Sequence, residues 1–289
     1  MGVQSGKRAA VRIVTDTTAI LPPEYVAAHA LQVAPQAILF GEESFLENVT
    51  ISTEEFIRRL KTSPKLPKTA APPPGEFARA FEIELKRAKT VISIHPSAEV
   101  SGTVRSAEAA KEQWFPNADI RIVDTRTVAG CLGAIVREAV GWAEEGLGAD
   151  EIVARIDEMA PRSRSYFLVR TLEYLQRGGR IGGAAALLGS VLQIKPILQI
   201  QDGRVDVLEK VRVLHKARER LIELVTEQCP PVPAAHLTVM HADAPDEGRS
   251  LAEELSVRLG VSLPPIYEVG AAITSHVGPG VLAVGLFVV

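Results

Sequence analysis

The stretch HPSAEVSGT, residues 95–103, sets three hydroxyls, Ser97, Ser101 and Thr103, around one glycine, Gly102. It follows the β-branched run VISI and precedes VRSAEAAKEQW, so the hydroxyls fall at a strand-to-helix junction. A helix N-terminus offers unpaired N–H groups and partial positive charge, and glycine lets a ligand approach the backbone. Such a junction can hold a phosphate, hold a carboxylate, or present a serine to an acyl group. Simple capping of the helix by Ser101 needs no ligand.

The remaining motifs narrow these chemistries. GxxxxGK[ST] is absent, and no GxGxxG follows a strand. RGGRIGG, at 177–183, fits neither spacing and reads as a turn and close-packing element. The nucleophile elbow GxSxG is missing. A serine nucleophile needs a base in reach and a group to orient it. His95 precedes Ser97 closely, but spacing alone does not assemble His95, His276 and an acid. His241, Asp243, Asp246 and Glu247 gather in HADAPDEG, which is neither HExxH nor an EF-hand loop and reads as a solvated strand-to-helix loop. His276 stands just before Val277, Gly278, Pro279 and Gly280 in an otherwise uncharged run. It reads either as a core histidine bonded to backbone or as an imidazole donating to an anionic head group. Thr69, in PKTAAPPP, is a lone loop hydroxyl.

The elements that must position these residues alternate. VRIVTD, LQVAPQAILF, AKTVISI and ADIRIVDT read as strands. LPPEYVAAHAL, with proline near its first turn, reads as a helix. So do the segment starting at Ser52 or Thr53 ahead of Glu54 and Glu55, a segment beginning at Phe77, SGTVRSAEAAKEQWF and VAGCLGAIVREAVGWAEEG. The proline-dense SPKLPKTAAPPPGEF reads as an extended, solvent-facing crossing. Alternation of this kind predicts an α/β fold with a parallel sheet, and ligands of such sheets sit beyond the strand carboxyl ends. Three polar loops fall there: Asp16-Thr17-Thr18, the segment 97–103, and Asp124-Thr125-Arg126-Thr127. After about Pro161 the pattern becomes α+β, with a hairpin signal at Gln201-Asp202-Gly203-Arg204. Helices follow near 216–227 and 247–259, a proline-rich break at 230–233, and strands at HLTVMHA, near Tyr267 and at the C-terminus. The expected organisation is an N-terminal parallel-sheet α/β domain, 1–161, and a C-terminal α+β domain, 162–289.

A chain of 289 residues favours two domains. Its 46% hydrophobic and 23% charged residues fit an ordinary globular protein. A formal net charge of -3 argues against a general nucleic-acid binder. Cys131 and Cys229 form no CxxC or Cys/His cluster, so no disulfide framework or zinc site is expected and a cytoplasmic setting fits. The N-terminus lacks an apolar signal core, and the first ten residues read as disordered. The run 269–289 has the length of a membrane span, but Thr274, Ser275, His276 and Gly278-Pro279-Gly280 interrupt it. It reads as two buried strands, or a strand and a short helix, around a tight turn.

Together these segments resemble the DegV family of fatty-acid-binding proteins, which includes the FakB subunits of bacterial fatty acid kinase. From about Val11 onward, IVTDTTAILP, TAAPPPGEF, SAEVSGT, IVDTRTVAGCLG, TLEYLQRGGRI, QIKPIL and HVGPG match family blocks in order. The resemblance implies a two-domain DegV-like fold with an acyl chain buried between or within the domains. It implies a fatty carboxylate held by Thr69, Ser97 and His276, flanked by Ser101, Gly102 and Thr103, with either serine making the direct contact. Asp16, Thr17, Asp124, Gly278 and Gly280 would support the loops. Ala70 and Ala71 stand where the family has Ser-Gln, and Ala98 where it has a second serine, so polar contacts are missing.

The expected function is therefore that of a carrier, not an enzyme, binding a long-chain fatty acid such as palmitate or stearate. By resemblance its partner is a dihydroxyacetone-kinase-like fatty acid kinase subunit that phosphorylates the bound carboxylate for phospholipid synthesis. Transient membrane contact is compatible with this; no cofactor, metal or nucleic acid is expected. Arg177 and Arg180 read as exposed charge or as part of a partner- or membrane-facing surface. The alternative is a serine-dependent hydrolase or transferase acting on a small acyl or phosphoryl substrate through Ser97 or Ser101.

Overall fold

A computed structural model describes residues 9–188, 194–231 and 235–289. Of the ten N-terminal residues expected to be disordered, 1–8 lie outside the described residues, as do 232–233 of the proline-rich break; Ala9 and Ala10 are not disordered but begin a strand, Ala9 pairing with Ala88.

The first half runs β1 (Ala9–Asp16), α1 (Pro23–Ala28), β2 (Gln32–Ala34), β3 (Ala37–Phe40), β4 (Glu43–Leu46), α2 (Thr53–Thr62), β5 (Lys68–Ala70), α3 (Pro74–Arg87), β6 (Ala88–His95), α4 (Thr103–Trp114), β7 (Ile120–Asp124), α5 (Ala129–Glu144) and α6 (Ala149–Met159). β2, β1, β6 and β7 lie side by side, all parallel. Both faces of this sheet are covered, as parallel strands require. Val14, Val91 and Ile120 pack with Phe77, Phe81 and Ala107 of α3 and α4. Val11, Ile13, Ile92 and Ile94 pack with Leu132, Ile135 and Ile152 of α5 and α6. Side chains alternate along a strand, so Asp16, Ser93 and His95 fall on the α3 face with Val14 and Val91. His95 accordingly meets the Phe77 ring edge-on at 5.0 Å.

Three further expectations need correction. LQVAPQAILF is not one strand: it breaks at Pro35, which has no N–H to give a ladder, and its halves join different sheets. The proline-dense crossing contains β5, which pairs antiparallel with β3, itself paired with β4. Gly102, not Ser101, occupies the N-cap position of α4.

The second half runs β8 (Ser163–Leu168), α7 (Glu173–Arg177), β9 (Ile197–Gln201), β10 (Arg204–Glu209), α8 (Leu214–Gln228), β11 (Thr238–His241), α9 (Pro245–Leu259), β12 (Ile266–Glu268), α10 (Ala271–Val277) and β13 (Leu282–Phe287). The strand order is β10-β9-β8-β13-β11-β12, antiparallel except for β11 and β12. One face, with Tyr166, Leu168, Val239, Leu282 and Val284, packs on α8 and α9. The opposite face presents Phe167, Leu198, Val205 and Met240. The 269–289 run is the helix-and-strand alternative, α10 and β13 around Gly278-Pro279-Gly280. No described helix is long and apolar enough to cross a membrane. Phe287 of β13 joins the core of α5 and β1, so α5 is shared between the two sheets.

Candidate functional site

The loops after β1, β6 and β7 lie together because those strands are adjacent and parallel. The third loop supports the second. The Asp124 carboxylate accepts from the N–H of Ala98 at 3.3 Å and of Arg126 at 2.9 Å. The Thr125 hydroxyl donates to the His95 carbonyl at 2.8 Å.

Between these loops and the free face of the second sheet lies a cavity of about 150 Å³, roughly ten times the room one ordered water needs. Its deep part is apolar. Phe167, Met240, Ala283, Ile200 and Val205 line it from the sheet, and Val128 and Ala129 from the start of α5. Ser165 of β8 also lines it, with its hydroxyl turned to the Cys131 thiol at 3.3 Å. The polar part lies at the other end, where Thr69, Ser101, Gly102, Arg180 and His276 line the wall. These five are half-buried, as are Val128, Ile200 and Ala283, while Gln36, Phe167, Met240 and Ala129 are buried; Ala70, next to Thr69 in the lining, is exposed, so solvent comes close to the polar end.

At that end Thr69 Oγ1 lies 2.7 Å from His276 Nε2. Nδ1 of His276 is buried without a partner, against Gly178. Burial, and then the Arg180 guanidinium, push this imidazole down to about 4, so it is neutral near pH 7. Its neutral ring holds one hydrogen. On Nδ1 that hydrogen would be a buried unpaired donor; on Nε2 it reaches Thr69, leaving only a lone pair unpaired. The second arrangement costs less, and it frees the Thr69 hydrogen for the cavity. Positive charge comes from Arg180, whose Nε donates to the Val100 carbonyl at 3.0 Å and whose Nη1 donates to the Gly178 carbonyl at 2.7 Å. Arg180 thus ties the RGGR turn to the serine loop, and among the described residues no carboxylate lies within ion-pair reach of it.

The other sequence-derived candidates separate by position. Ser97 is fully buried and does not line the cavity. Its Oγ accepts from the Glu99 N–H at 3.2 Å, and Gly203 covers it. The hairpin turn that carries Gly203 has positive φ at both Asp202 and Gly203. Thr103 is buried behind Ser101, its Oγ1 2.7 Å from the Ser101 hydroxyl. Asp16 is fully buried and Thr17 bonds Glu47. Gly278 and Gly280 have φ of 79° and 80° and pack against Tyr174 and Arg170, so they shape the turn after α10. Ala70 and Ala71 both line the cavity, where they add apolar wall.

Neither candidate serine meets an imidazole: Ser97 Oγ bonds backbone and Ser101 Oγ bonds Thr103. His95 instead joins Ser93 at 2.6 Å and Asp16 at 2.8 Å, the connectivity of a catalytic triad. All three of its members are 0% exposed and none lines the cavity, so no substrate reaches that hydroxyl. Among the described residues no His, Cys, Asp and Glu group suits a metal ion, and HADAPDEG holds none.

Two residues of the site, Gln36 and Glu47, were not singled out from sequence, and a third, Arg180, was given a different role. Gln36 is buried, lines the cavity and bonds both Asp16 and Thr103; its signal was an amide following Pro35 inside an apolar run. Glu47 is buried, and burial raises its carboxyl above the usual range. It accepts from the Thr17 hydroxyl and from the Ala272 N–H at 2.9 Å, so it anchors the start of α10. Nothing in its local sequence marks it. Arg180 was read as exposed charge or as part of a partner- or membrane-facing surface, whereas it lines the cavity.

The family model described as "Uncharacterised protein, DegV family" matches residues 10–289. A DegV domain-containing protein of Streptomyces coelicolor is 39% identical over 277 residues, covering 95% of this chain and 97% of its own. A solved structure titled as fatty acid binding of a DegV family protein from Thermus thermophilus superposes with a TM-score of 0.89 at 31% identity, covering 97% of this chain and 100% of that one. DegV of Bacillus subtilis, titled a fatty acid binding protein, superposes with a TM-score of 0.86 at 32% identity, covering 96% and 99%.

Proposed function

The chain belongs to the DegV family, and from that premise we propose that its cavity binds a long-chain fatty acid. The tail lies along the apolar face of the second sheet. The carboxylate accepts from the hydroxyls of Thr69 and Ser101, beside His276, with Arg180 as counter-charge. Of the two serines that resemblance left open, Ser101 is assigned the direct contact, because Ser97 turns its hydroxyl away from the cavity. The observation that carries this reading is the division of one cavity into an apolar depth and a half-buried polar end without a nucleophile–base pair. The Thermus thermophilus and Bacillus subtilis proteins, both described as fatty acid binding, support it.

For such a ligand most of the binding energy lies in the tail. Burying a methylene is worth about 0.8 kcal/mol, so a 16-carbon chain such as palmitate contributes roughly 10 kcal/mol before ordering costs. Stearate adds two more methylenes. The protein then acts as a carrier. It shields the tail and holds the carboxylate at the end nearer solvent, where a partner can reach it. The partner in this reading is a dihydroxyacetone-kinase-like subunit. A carboxylate oxygen attacks the γ-phosphorus of ATP, ADP departs, and the acyl phosphate passes to phospholipid synthesis. The setting is cytoplasmic, with transient membrane contact for loading.

Native mass spectrometry of the purified protein, followed by denaturing extraction, tests the central claim. The expected result is one fatty acid per chain. A protein that is empty and also takes up no added palmitate overturns it.

A further inference from the structure

A line of hydrogen bonds joins Ser101 at the cavity to buried Asp16, and its direction can be read. The Asp16 carboxylate accepts from the Thr18 N–H at 3.0 Å, the Thr18 hydroxyl at 2.5 Å and Gln36 Nε2 at 3.0 Å, and it faces His95 Nδ1 at 2.8 Å. A carboxylate only accepts, so Gln36 must turn its amide nitrogen toward it. The second hydrogen of that nitrogen goes to Thr103 Oγ1 at 2.9 Å. Thr103 is 0% exposed, and its Oγ1 lies 2.7 Å from Ser101 Oγ.

The last bond could run either way. If Ser101 donated, Thr103 would accept twice and bury its own hydrogen without an acceptor. If Thr103 donates, its hydroxyl both accepts from Gln36 Nε2 and gives its own hydrogen to Ser101. Ser101 Oγ then accepts from the Thr103 hydroxyl and from the Thr103 N–H at 3.2 Å. Both of its lone pairs are used. Only the Ser101 hydrogen remains, and Ser101 lines the cavity.

We propose that Asp16, Gln36 and Thr103 are positioning residues that make Ser101 an obligate donor, so that this point of the cavity selects a head group offering an acceptor, as a carboxylate does. The inference rests on the fatty-acid reading. Asp16 acts from a distance: its fixed acceptor character sets the sense of each successive bond out to the ligand.

The test measures Kd for palmitate and for hexadecanol, whose hydroxyl is uncharged, in Thr103→Val, Ser101→Ala, the double variant and Thr103→Ser. Thr103→Val and Ser101→Ala are each expected to weaken palmitate binding about tenfold, the loss of one oriented hydrogen bond to a charged group. Hexadecanol, whose oxygen also accepts but carries no charge, should lose less, about threefold. Since Thr103 acts through Ser101, the double variant should bind palmitate no worse than Ser101→Ala alone, and Thr103→Ser should restore affinity. A wild-type palmitate-to-hexadecanol ratio in Thr103→Val, or losses that multiply in the double variant, would overturn the relay while the fatty-acid reading stands. Should Thr103→Val not fold, Gln36→Met removes the preceding link and should give the same acid-specific loss; an unchanged ratio there rejects the relay. Wild-type protein that binds neither lipid refutes the fatty-acid reading and the relay together.

Discussion

Thr69 Oγ1 and His276 Nε2 are 2.7 Å apart although 207 residues separate them in the chain. Two separate packing relationships create this pair. β5 places Thr69 opposite Ile38 of β3, and Ile38 shares a core with Ala271 and Ala272 at the start of α10. Glu47 then bonds the Ala272 N–H, fixing the helix that carries His276. The polar end of the cavity is thus assembled from both halves of the chain, and its proposed role can be checked residue by residue.

Thr69 and Ser101 line the cavity whereas Ser97 does not. Thr69→Ala combined with Ser101→Ala is expected to reduce palmitate affinity by at least about tenfold with little change in thermal unfolding. Ser97→Ala is expected to keep near-wild-type affinity and lose about 1 kcal/mol of stability, because its hydroxyl accepts from the Glu99 N–H. Calorimetric titration and thermal melts of the two variants separate these outcomes; a large affinity loss in Ser97→Ala would reverse the assignment.

Gly178 has an ordinary helical φ of -74°, so alanine there meets no backbone strain. Its Cβ would stand 2.2 Å from His276 Nδ1 and 3.0 Å from the Tyr174 carbonyl. Gly178→Ala must therefore displace the imidazole from Thr69. Fatty-acid affinity should fall by about tenfold, and the imidazole resonances of His276 should shift. Wild-type affinity would mean that the ring position does not matter for the ligand.

Burial holds the His276 imidazole at about 4 in the folded chain, below its unfolded value of about 6.5. Between those values the unfolded state binds the extra proton, so stability rises with pH across the window and falls on acidification. The full effect is about 3 kcal/mol. Glu47 works in the opposite sense: burial raises its carboxyl, so ionisation above its unfolded value costs stability as pH rises. Chemical denaturation of the wild type and of His276→Gln at matched pH isolates the first effect. The difference between them should change progressively from pH 6.5 towards 4, and a pH-independent difference would contradict it.

Arg180 holds the Val100 and Gly178 carbonyls while facing the cavity. Arg180→Met should weaken palmitate binding by about tenfold and leave hexadecanol affinity close to wild type. Arg180→Lys keeps the charge but cannot span both carbonyls, so it should recover only part of the loss. Equal losses for the acid and the alcohol would show that Arg180 shapes the wall instead of balancing charge.

Local signals carried far in this chain. Strand-helix alternation specified the parallel sheet, since each period is written in neighbouring residues. The Asp202-Gly203 turn and the Ser52 cap were visible for the same reason: both act over a few positions, and both formed. The glycines of RGGRIGG were readable as close-packing points, and Gly178, Gly182 and Gly183 press against His276, Val205 and Asp206.

The sequence by itself determined which loops would meet beyond the strand ends, and its family resemblance pointed to Thr69, a serine of 97–103 and His276 as the polar residues beside an apolar pocket. Only the tertiary structure decided which hydroxyl faces the cavity. Ser97 and Ser101 are chemically alike and four positions apart, and the choice turned on Gly203 covering one of them from the other sheet. The same holds for Arg180, Gln36 and Glu47. Their roles come from contacts across long stretches of chain, with Val100, Thr103 and Ala272. Burial and hydrogen-bond partners are properties of packing, and no spacing within a segment encodes them.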